Sequence, residues 1–253
     1  MKLNYKIFGE GKPLIILHGL FGSLDNWQTH AKKLAEFNKV YLVDQRNHGS
    51  SPHSNEHTYE LMCEDLLNLF AEENIREAIL LGHSMGGKTA MLFAQNYGHL
   101  LDQLIVVDMG MKAYPPHHDV IFQGLFNVRV EDCESRKEAD LRLGEYVTDE
   151  STKQFLLKSL YWKEPKKLAW RFNLVALHVH IEDILSALPN DEIEVQSLFI
   201  RGGKSNYVTE QDITALHKLI SNLKVTTMED AGHWVHAENP EEFLKIVSNF
   251  IRP

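Results

Sequence analysis

Cysteine is scarce in this chain of 253 residues, and long apolar runs are missing. The two cysteines, Cys63 and Cys133, lie far apart and neither belongs to a Cys-x-x-Cys pair, so the sequence indicates neither a disulfide framework nor a zinc ribbon. The N-terminal residues lack the apolar core of a signal peptide, and no later run approaches the length of a membrane span. We therefore expect a cytoplasmic protein with no membrane-spanning segment.

Positive charge is also in short supply. Lys and Arg together number 26 against 35 Asp and Glu, which gives a formal net charge of −9. Because affinity for nucleic acids depends largely on clustered Lys and Arg, we expect no nucleic-acid partner. The composition instead favours a small-molecule substrate or a soluble partner.

Short apolar runs alternate along the chain with longer amphipathic ones. We expect buried strands at 13–17, 39–43, 78–81, 104–107, 195–200 and 225–228. We expect helices at 26–37, 59–74, 85–97, 209–220 and 240–251. This alternation predicts an α/β fold, a doubly wound and mainly parallel twisted sheet flanked by helices.

The alternation stops between residues 112 and 189. No strand-like run occurs there, and helical periodicity is found at 135–147, 151–161 and 168–188. We interpret 112–189 as a helical cap inserted over the strand ends, so that the core comprises 1–111 and 190–253. The alternative is a set of packing helices without a functional role.

Ser84 lies in the segment Gly82-His83-Ser84-Met85-Gly86, which follows the apolar run 78–81 and precedes a helix-like stretch. A Gly-x-Ser-x-Gly pentapeptide between a strand and a helix is typical of a nucleophile elbow. The glycines leave room for a strained turn that exposes the serine hydroxyl. We predict that Ser84 is the nucleophile. The alternative is an ordinary strand-to-helix loop that contains a serine by chance.

A serine hydroxyl needs an imidazole to accept its proton, and the imidazole needs a carboxylate to fix its tautomer. Of 14 histidines, we choose His233, in a loop after the last predicted strand, as the base. His236 is a weaker rival, and a core or capping role is the alternative for His233. The pairs His117-His118 and His178-x-His180 lack acidic neighbours arranged as a metal set. We expect them to be surface or cap residues, and we expect neither a metal nor a cofactor.

Glycines also follow the first buried strand, in His18-Gly19-Leu20-Phe21-Gly22. The backbone N–H groups of such a turn can face a developing oxyanion. We predict an oxyanion hole formed by the N–H of Leu20 and the N–H of Met85, the residue after the nucleophile. The alternative is a glycine-rich connection without catalytic use.

The chain resembles the α/β-hydrolase superfamily over essentially its whole length. The matching segments, in the superfamily's order, are His18-Gly19, Asp44-x-Arg46-Asn47-His48-Gly49-x-Ser51, Gly82-x-Ser84-x-Gly86-Gly87 and Gly232-His233. Asn47 departs from the pattern, because glycine is more usual there. A second departure concerns the acid: Ser205, in the loop 200–208, occupies the position where the superfamily usually has aspartate.

A neutral hydroxyl at that position cannot stabilise an imidazolium as a carboxylate does. The strand after the nucleophile ends in Ile105-Val106-Val107-Asp108, and in this fold that strand neighbours the nucleophile strand. We predict that Asp108 is the acid of a Ser-His-Asp triad. Asp212 and Glu210, in the following predicted helix, are the other candidate acids, and a turn-capping role is the alternative for Asp108.

With the acid at Asp108, the chain is similar to the YbfF-type bacterial esterases, small cytoplasmic hydrolases with a helical cap. The similar segments are 154–159, 170–173, 199–208 and 231–238. The resemblance implies hydrolysis of carboxylic esters, with acyl-CoA thioesters as a further substrate class. The other function weighed is a catalytically impaired hydrolase that serves as a small-molecule receptor or binding module, for which Ser205 at the usual acid position is the argument.

The predicted cap is rich in aromatic residues, namely Phe122, Phe126, Phe155, Trp162, Trp170 and Phe172. Most aromatics at helical spacing pack in a core, but a few are expected to line an apolar acyl tunnel above Ser84. We predict that Phe21 and Trp170 contact the substrate.

Overall fold

The computed structural model describes residues 1–252, which form a seven-stranded sheet, a separate two-stranded hairpin and helices around them. The strands are β1 (Asn4–Phe8), β2 (Lys12–Leu17), β3 (Asn38–Asp44), β4 (Ala78–His83), β5 (Leu101–Val107), β6 (Leu160–Glu164), β7 (Lys167–Trp170), β8 (Gln196–Gly202) and β9 (Leu223–Met228). The helices are α1 (Gln28–Leu34), α2 (Tyr59–Glu72), α3 (Met85–Tyr97), α4 (Asp119–Asn127), α5 (Arg136–Gly144), α6 (Glu150–Leu157), α7 (Leu174–Val179), α8 (Ile181–Leu185), α9 (Glu210–Leu219), α10 (Val235–Glu238) and α11 (Pro240–Ile251). Within residues 1–252, no helix has both the length and the apolar character needed to cross a membrane.

The seven strands lie in the order β1-β3-β2-β4-β5-β8-β9. Every pairing is parallel except that of β1 with β3, which is antiparallel. The strands and core helices predicted from the sequence are all present, with their ends moved by a few residues. The prediction of an α/β fold with a mainly parallel sheet is confirmed.

Both faces of the sheet are buried, which explains the continuous apolar runs of its central strands. In β2, Ile15 and Leu17 pack in the layer that contains α2 and α3, while Leu14 and Ile16 pack in the layer that contains α1 and α11. Alternate side chains of one strand point to opposite faces, so each strand contributes to both layers. The two layers hold the carboxyl ends of the strands in place at one edge of the sheet.

Strand β1 is an element that the sequence analysis did not predict. Its side chains are half-buried or exposed, and Asn4 and Lys6 interrupt its apolar residues. It lies at the edge of the sheet and pairs only with β3. Since an edge strand needs no continuous apolar run, the pattern that marks the central strands is missing here.

We call the segment 112–189 the insertion, and it lies between β5 and β8. It contains α4 to α8, but the expectation that it has no strand is wrong, because β6 and β7 form an antiparallel hairpin. The helix predicted at 168–188 is also wrong, since β7 and the two short helices α7 and α8 occupy that range. In the hairpin only Leu160 and Leu168 are buried, so no apolar run reveals the two strands.

Candidate active site

Ser84 lies at a sharp turn between β4 and α3, with φ 53° and ψ −120°. This backbone conformation is strained for a residue with a side chain, and it exposes the hydroxyl at the end of the strand. The flanking glycines are sterically required. A Cβ on Gly82 would lie 2.1 Å from the carbonyl oxygen of Gly86, and a Cβ on Gly86 would lie 2.6 Å from that of His18. The local geometry is that of a nucleophile elbow.

His233 lies in the loop between β9 and α10, and its Nε2 is 3.0 Å from Ser84 Oγ. Two neighbours hold it in place. The ring of Tyr207 stacks on the imidazole, with centroids 3.8 Å apart and planes 17° apart. The backbone carbonyl of His233 lies 3.0 Å from Nε2 of His83. The imidazole therefore faces the serine from a fixed position.

Asp108 follows β5 and extends the line of hydrogen bonds, since its Oδ2 lies 2.8 Å from Nδ1 of His233. The buried carboxylate also accepts the Gly202 N–H on Oδ1 at 3.0 Å and the Ser205 hydroxyl on Oδ2. Because a carboxylate only accepts hydrogen bonds, Nδ1 of His233 carries the proton. The lone pair on Nε2 is then available to the hydroxyl of Ser84.

The two other candidate acids have partners elsewhere. Asp212 forms an ion pair with Lys112 at 2.5 Å. Glu210 forms an ion pair with Arg201. In residues 1–252, Asp108 is the only carboxylate that contacts His233.

The residues Leu20 and Met85 line the space next to Ser84. Within residues 1–252, neither backbone N–H donates a hydrogen bond to another protein group. Met85 is the first residue of α3, and the N–H groups at a helix start lack helical partners and favour negative charge. Both amides are free to bind an oxygen atom of a ligand.

Two buried histidines hold the turn that carries Leu20. His48 accepts the Phe21 N–H on Nε2 at 3.1 Å. His18 accepts the Gln45 N–H on Nε2, also at 3.1 Å. Burial lowers the pKa of both imidazoles, so each stays neutral and keeps an acceptor nitrogen. These histidines were not predicted to have a role, and the only sequence feature that sets them apart is their position shortly after β2 and β3.

Asn47, at a position where glycine is more usual, has a φ of 63°. Asparagine adopts this left-handed conformation more readily than most residues, which explains the exchange. Its backbone carbonyl accepts the Asn173 N–H at 2.8 Å, and its side-chain oxygen accepts from the Asn173 amide group at 3.1 Å. Asn47 therefore links the core to the insertion.

A largely apolar cavity of about 240 Å³ opens beside Ser84 and His233. Its lining residues are Gly19, Leu20, Phe21, His83, Ser84, His117, His118, Ile121, Thr152, Phe155, Leu156, Tyr207, His233 and Trp234. None of these lining residues is Lys, Arg, Asp or Glu. Burial lowers the pKa of His118 to about 3 and that of His83 well below its ordinary value, so both imidazoles are uncharged at neutral pH. The cavity suits an uncharged, apolar group.

Of the two predicted substrate contacts, Phe21 lines the cavity and Trp170 does not. Trp170 stacks on Phe172 with ring centroids 5.3 Å apart, and Phe172 lies 5.1 Å from Phe21. Trp170 thus supports the cavity wall from behind. The insertion places Phe155 in the cavity instead, with its ring 4.2 Å from that of Trp234.

Three other histidines considered in the sequence lie in the cavity or in the core. His117 and His118, expected at the surface or in the cap, both line the cavity. His117 is exposed, and its Nε2 lies 2.6 Å from the Tyr207 hydroxyl. His236, the rival base, is buried and stacks on Trp27 at 4.1 Å. It forms no hydrogen bond with Ser84 in the described chain.

Comparisons with known proteins identify the family of this chain. The family model described as alpha/beta hydrolase fold matches residues 12–240. Esterase YbfF of Escherichia coli (strain K12) is 34% identical over 243 residues, which cover 96% of this chain and 94% of the relative. The sn-1-specific diacylglycerol lipase ABHD11 of Danio rerio is 35% identical over 265 residues, which cover 100% of this chain and 83% of the relative. A solved structure described as a marine microorganism esterase superposes with a TM-score of 0.96 at 36% identity and covers 99% of both chains.

The family match extends from β2 to the start of α11, so it includes six of the seven strands of the sheet, all except β1, together with the insertion. Relatives that cover nearly the whole chain are named as esterases and a lipase. The resemblance to the YbfF-type esterases is confirmed. The chain therefore belongs to the α/β-hydrolase family, and it is a hydrolase.

Proposed function

We propose that this protein cleaves carboxylic esters through an acyl-enzyme intermediate formed on Ser84. The observation that carries the proposal is the line of hydrogen bonds from Ser84 to His233 at 3.0 Å and from His233 to Asp108 at 2.8 Å. A nucleophile, a base and an orienting carboxylate in this order are what acyl transfer requires. The names of the esterase and lipase relatives support the same reaction.

In the proposed reaction, Ser84 Oγ attacks the ester carbonyl carbon while His233 Nε2 takes the hydroxyl proton. The carbonyl oxygen becomes an oxyanion and accepts hydrogen bonds from the backbone N–H groups of Leu20 and Met85. Asp108 stabilises the imidazolium, which then donates its proton to the departing alcohol oxygen. Water, activated by the same imidazole, attacks the acyl-enzyme, releases the carboxylic acid and restores the serine.

The acyl group of the substrate is proposed to occupy the apolar cavity of about 240 Å³, whose lining carries no charged anchor. For an acyl-CoA thioester, the acyl chain alone would enter and the charged nucleotide part would stay outside. A thiolate is a better leaving group than an alkoxide, so the same residues would serve both classes. We also propose that the protein acts in the cytoplasm.

A catalytically impaired receptor is less well supported. The presence of Ser205 at the usual position of the acid would favour such a receptor. However, Asp108 supplies a carboxylate, whose Oδ2 lies 2.8 Å from Nδ1 of His233. A protein that only binds its ligand needs neither the strained backbone of Ser84 nor two unbonded amides beside it. The observed geometry therefore favours catalysis.

We propose that the insertion acts as a cap over Ser84 and contributes to substrate selection. It supplies part of the cavity wall, including Ile121 and Phe155. It is tied to the core where the Ser159 hydroxyl donates to the Phe21 carbonyl at 2.8 Å. An acyl chain in the cavity would contact both the core and the insertion.

Replacing Ser84 by alanine should lower kcat by about 10⁴-fold or more, because the members of a triad act as a unit. Hydrolysis of a short-chain chromogenic ester measures kcat, and thermal unfolding followed by circular dichroism serves as the control for folding. The wild type should release a burst of chromogenic alcohol, and a serine-directed phosphonate should modify Ser84, as located by mass spectrometry. An adduct on another residue, or full activity of Ser84→Ala, would contradict the proposal.

Asp108→Asn should lower kcat by about 10⁴-fold, as in a comparable protease, because the amide permits the wrong tautomer of His233. Asp212→Asn is the matched control and should stay near the wild-type rate. Ser205→Ala removes one of the three hydrogen bonds to the Asp108 carboxylate and should cost roughly tenfold or less. If Asp108→Asn keeps its activity while Asp212→Asn loses it, the acid has been assigned to the wrong residue.

Phe155→Ala should change the preference among acyl chain lengths by about tenfold, because each methylene in an apolar pocket contributes roughly 1–3 kcal/mol. Trp170→Ala should change it less, since Trp170 lies behind Phe172. The measurement is kcat/KM for ethyl esters of increasing acyl length. The isomers ethyl hexanoate and hexyl acetate are a composition-matched control, and the effect should be larger for the first. An unchanged profile in both variants would count against selection by the insertion.

A further inference from the structure

Lys88 is a lysine with no exposed surface, and it lies on α3 one turn after Ser84. Its backbone N–H donates to the Ser84 carbonyl at 3.1 Å, so the two residues belong to the same turn of helix. The proposed reaction gives Lys88 no role, and its side chain does not line the cavity. A buried ammonium is costly unless its protons are bonded, so its partners indicate what it does.

The ammonium binds the chain at both ends of the insertion. Nζ donates to the Lys112 carbonyl at 2.9 Å and to the Ser186 carbonyl. Lys112 begins the insertion, and Ser186 lies close to its last residue. The two ends also bind each other, because the Leu188 N–H donates to the Met111 carbonyl at 2.8 Å. Lys88 therefore connects both ends to the helix that carries the nucleophile.

The other neighbours of the ammonium are aromatic. Nζ lies 5.1 Å from the ring centroid of Tyr114 and 5.9 Å from that of Tyr59. Burial raises the pKa of both phenols, so they are uncharged. The nearby ammonium of Lys112 is paired with Asp212 at 2.5 Å. Burial lowers the pKa of Lys88 to about 8, with no carboxylate to oppose the effect.

The ends of the insertion are in contact with the residues around His233. The Tyr114 hydroxyl donates to the Tyr207 carbonyl at 3.0 Å, and the two rings lie 5.2 Å apart. Tyr207 in turn stacks on the imidazole of His233. On the other side of Lys88, the Tyr59 hydroxyl donates to the Ile184 carbonyl at 2.7 Å. A shift of these ends would move Tyr114, and with it the ring on which His233 rests.

We propose that Lys88 is a positioning residue whose ammonium fastens both ends of the insertion to the nucleophile helix and so holds Tyr114 and Tyr207 against His233. The inference rests on the proposed function, because it takes Ser84 and His233 as nucleophile and base. Lys88 acts through these tyrosines and touches no reacting atom.

The lowered pKa of Lys88 determines how the free energy of unfolding should depend on pH. From about pH 8 to the ordinary lysine pKa near 10.4, the unfolded chain holds the Lys88 proton and the folded chain does not. Stability therefore rises with pH across this window, and at neutral pH the buried charge is a cost.

The test compares two substitutions of Lys88. Lys88→Met keeps an unbranched side chain and removes all hydrogen-bond donors. The kcat should fall by about 100-fold, the loss expected when a catalytic group such as His233 is displaced by about 1 Å. The thermal midpoint should be kept or raised, because the buried charge is gone. Lys88→Gln keeps a shorter, neutral donor and should lose about tenfold in kcat. Lys153→Met is the matched control and should keep the wild-type kcat, because Lys153 is bound to Asp140 and Glu150 within the insertion.

A second measurement tests whether the folded chain releases the Lys88 proton at a lower pH than the unfolded chain does. Urea unfolding at pH 7 and pH 10 should show the stability of the wild type improving relative to Lys88→Met as the pH rises. A wild-type kcat in Lys88→Met overturns the inference, and if that variant does not fold, a wild-type kcat in Lys88→Gln overturns it equally. A wild type that neither hydrolyses esters nor takes the phosphonate on Ser84 refutes the proposed function together with this inference. Normal wild-type activity with unchanged Lys88 variants refutes this inference alone.

Discussion

Close contact between backbones at the carboxyl edge of the sheet is the constraint on which the whole site depends. One such contact forms the elbow of Ser84, and a second lies on the other side of the site. A Cβ on Gly202 would lie 2.1 Å from the carbonyl oxygen of Gly232. Gly202 ends β8 and Gly232 precedes His233, so this contact brings the histidine loop down to the edge of the sheet. Any side chain at position 202 would prevent this contact.

The order of the strands explains how the acid can follow β5 without a change in the geometry of the site. β5 lies between β4 and β8, so Asp108 reaches the imidazole from a position between the elbow and the loop after β8. Ser205, in that loop, donates its hydroxyl to the Asp108 carboxylate. A second carboxylate at position 205 would face the first, and their repulsion would raise the pKa of one of them. A hydroxyl at 205 and a carboxylate at 108 are therefore complementary.

The parts of the structure that were predictable are those with a local chemical pattern. Buried parallel strands are continuous apolar runs, and glycines mark the turns that carry Ser84 and His233. The half-exposed strand β1 and the hairpin β6–β7 have no such run, so they were missed. Which aromatic of the insertion faces the cavity depends on how both α6, which carries Phe155, and β7, which carries Trp170, pack on the core, and residue type alone does not give this packing. Likewise, no local pattern distinguishes the buried Lys88 from an exposed helical lysine.

The two ends of the insertion lie next to each other, since the Leu188 N–H donates a hydrogen bond to the Met111 carbonyl at 2.8 Å. A segment whose two ends meet can be exchanged for another of different length without moving β5 or β8, provided that the new segment presents two carbonyls to Lys88. Ser84, Asp108 and His233 all lie outside it. With the role proposed for the insertion, recombination at these two positions would change the substrate range and leave the proposed triad unchanged.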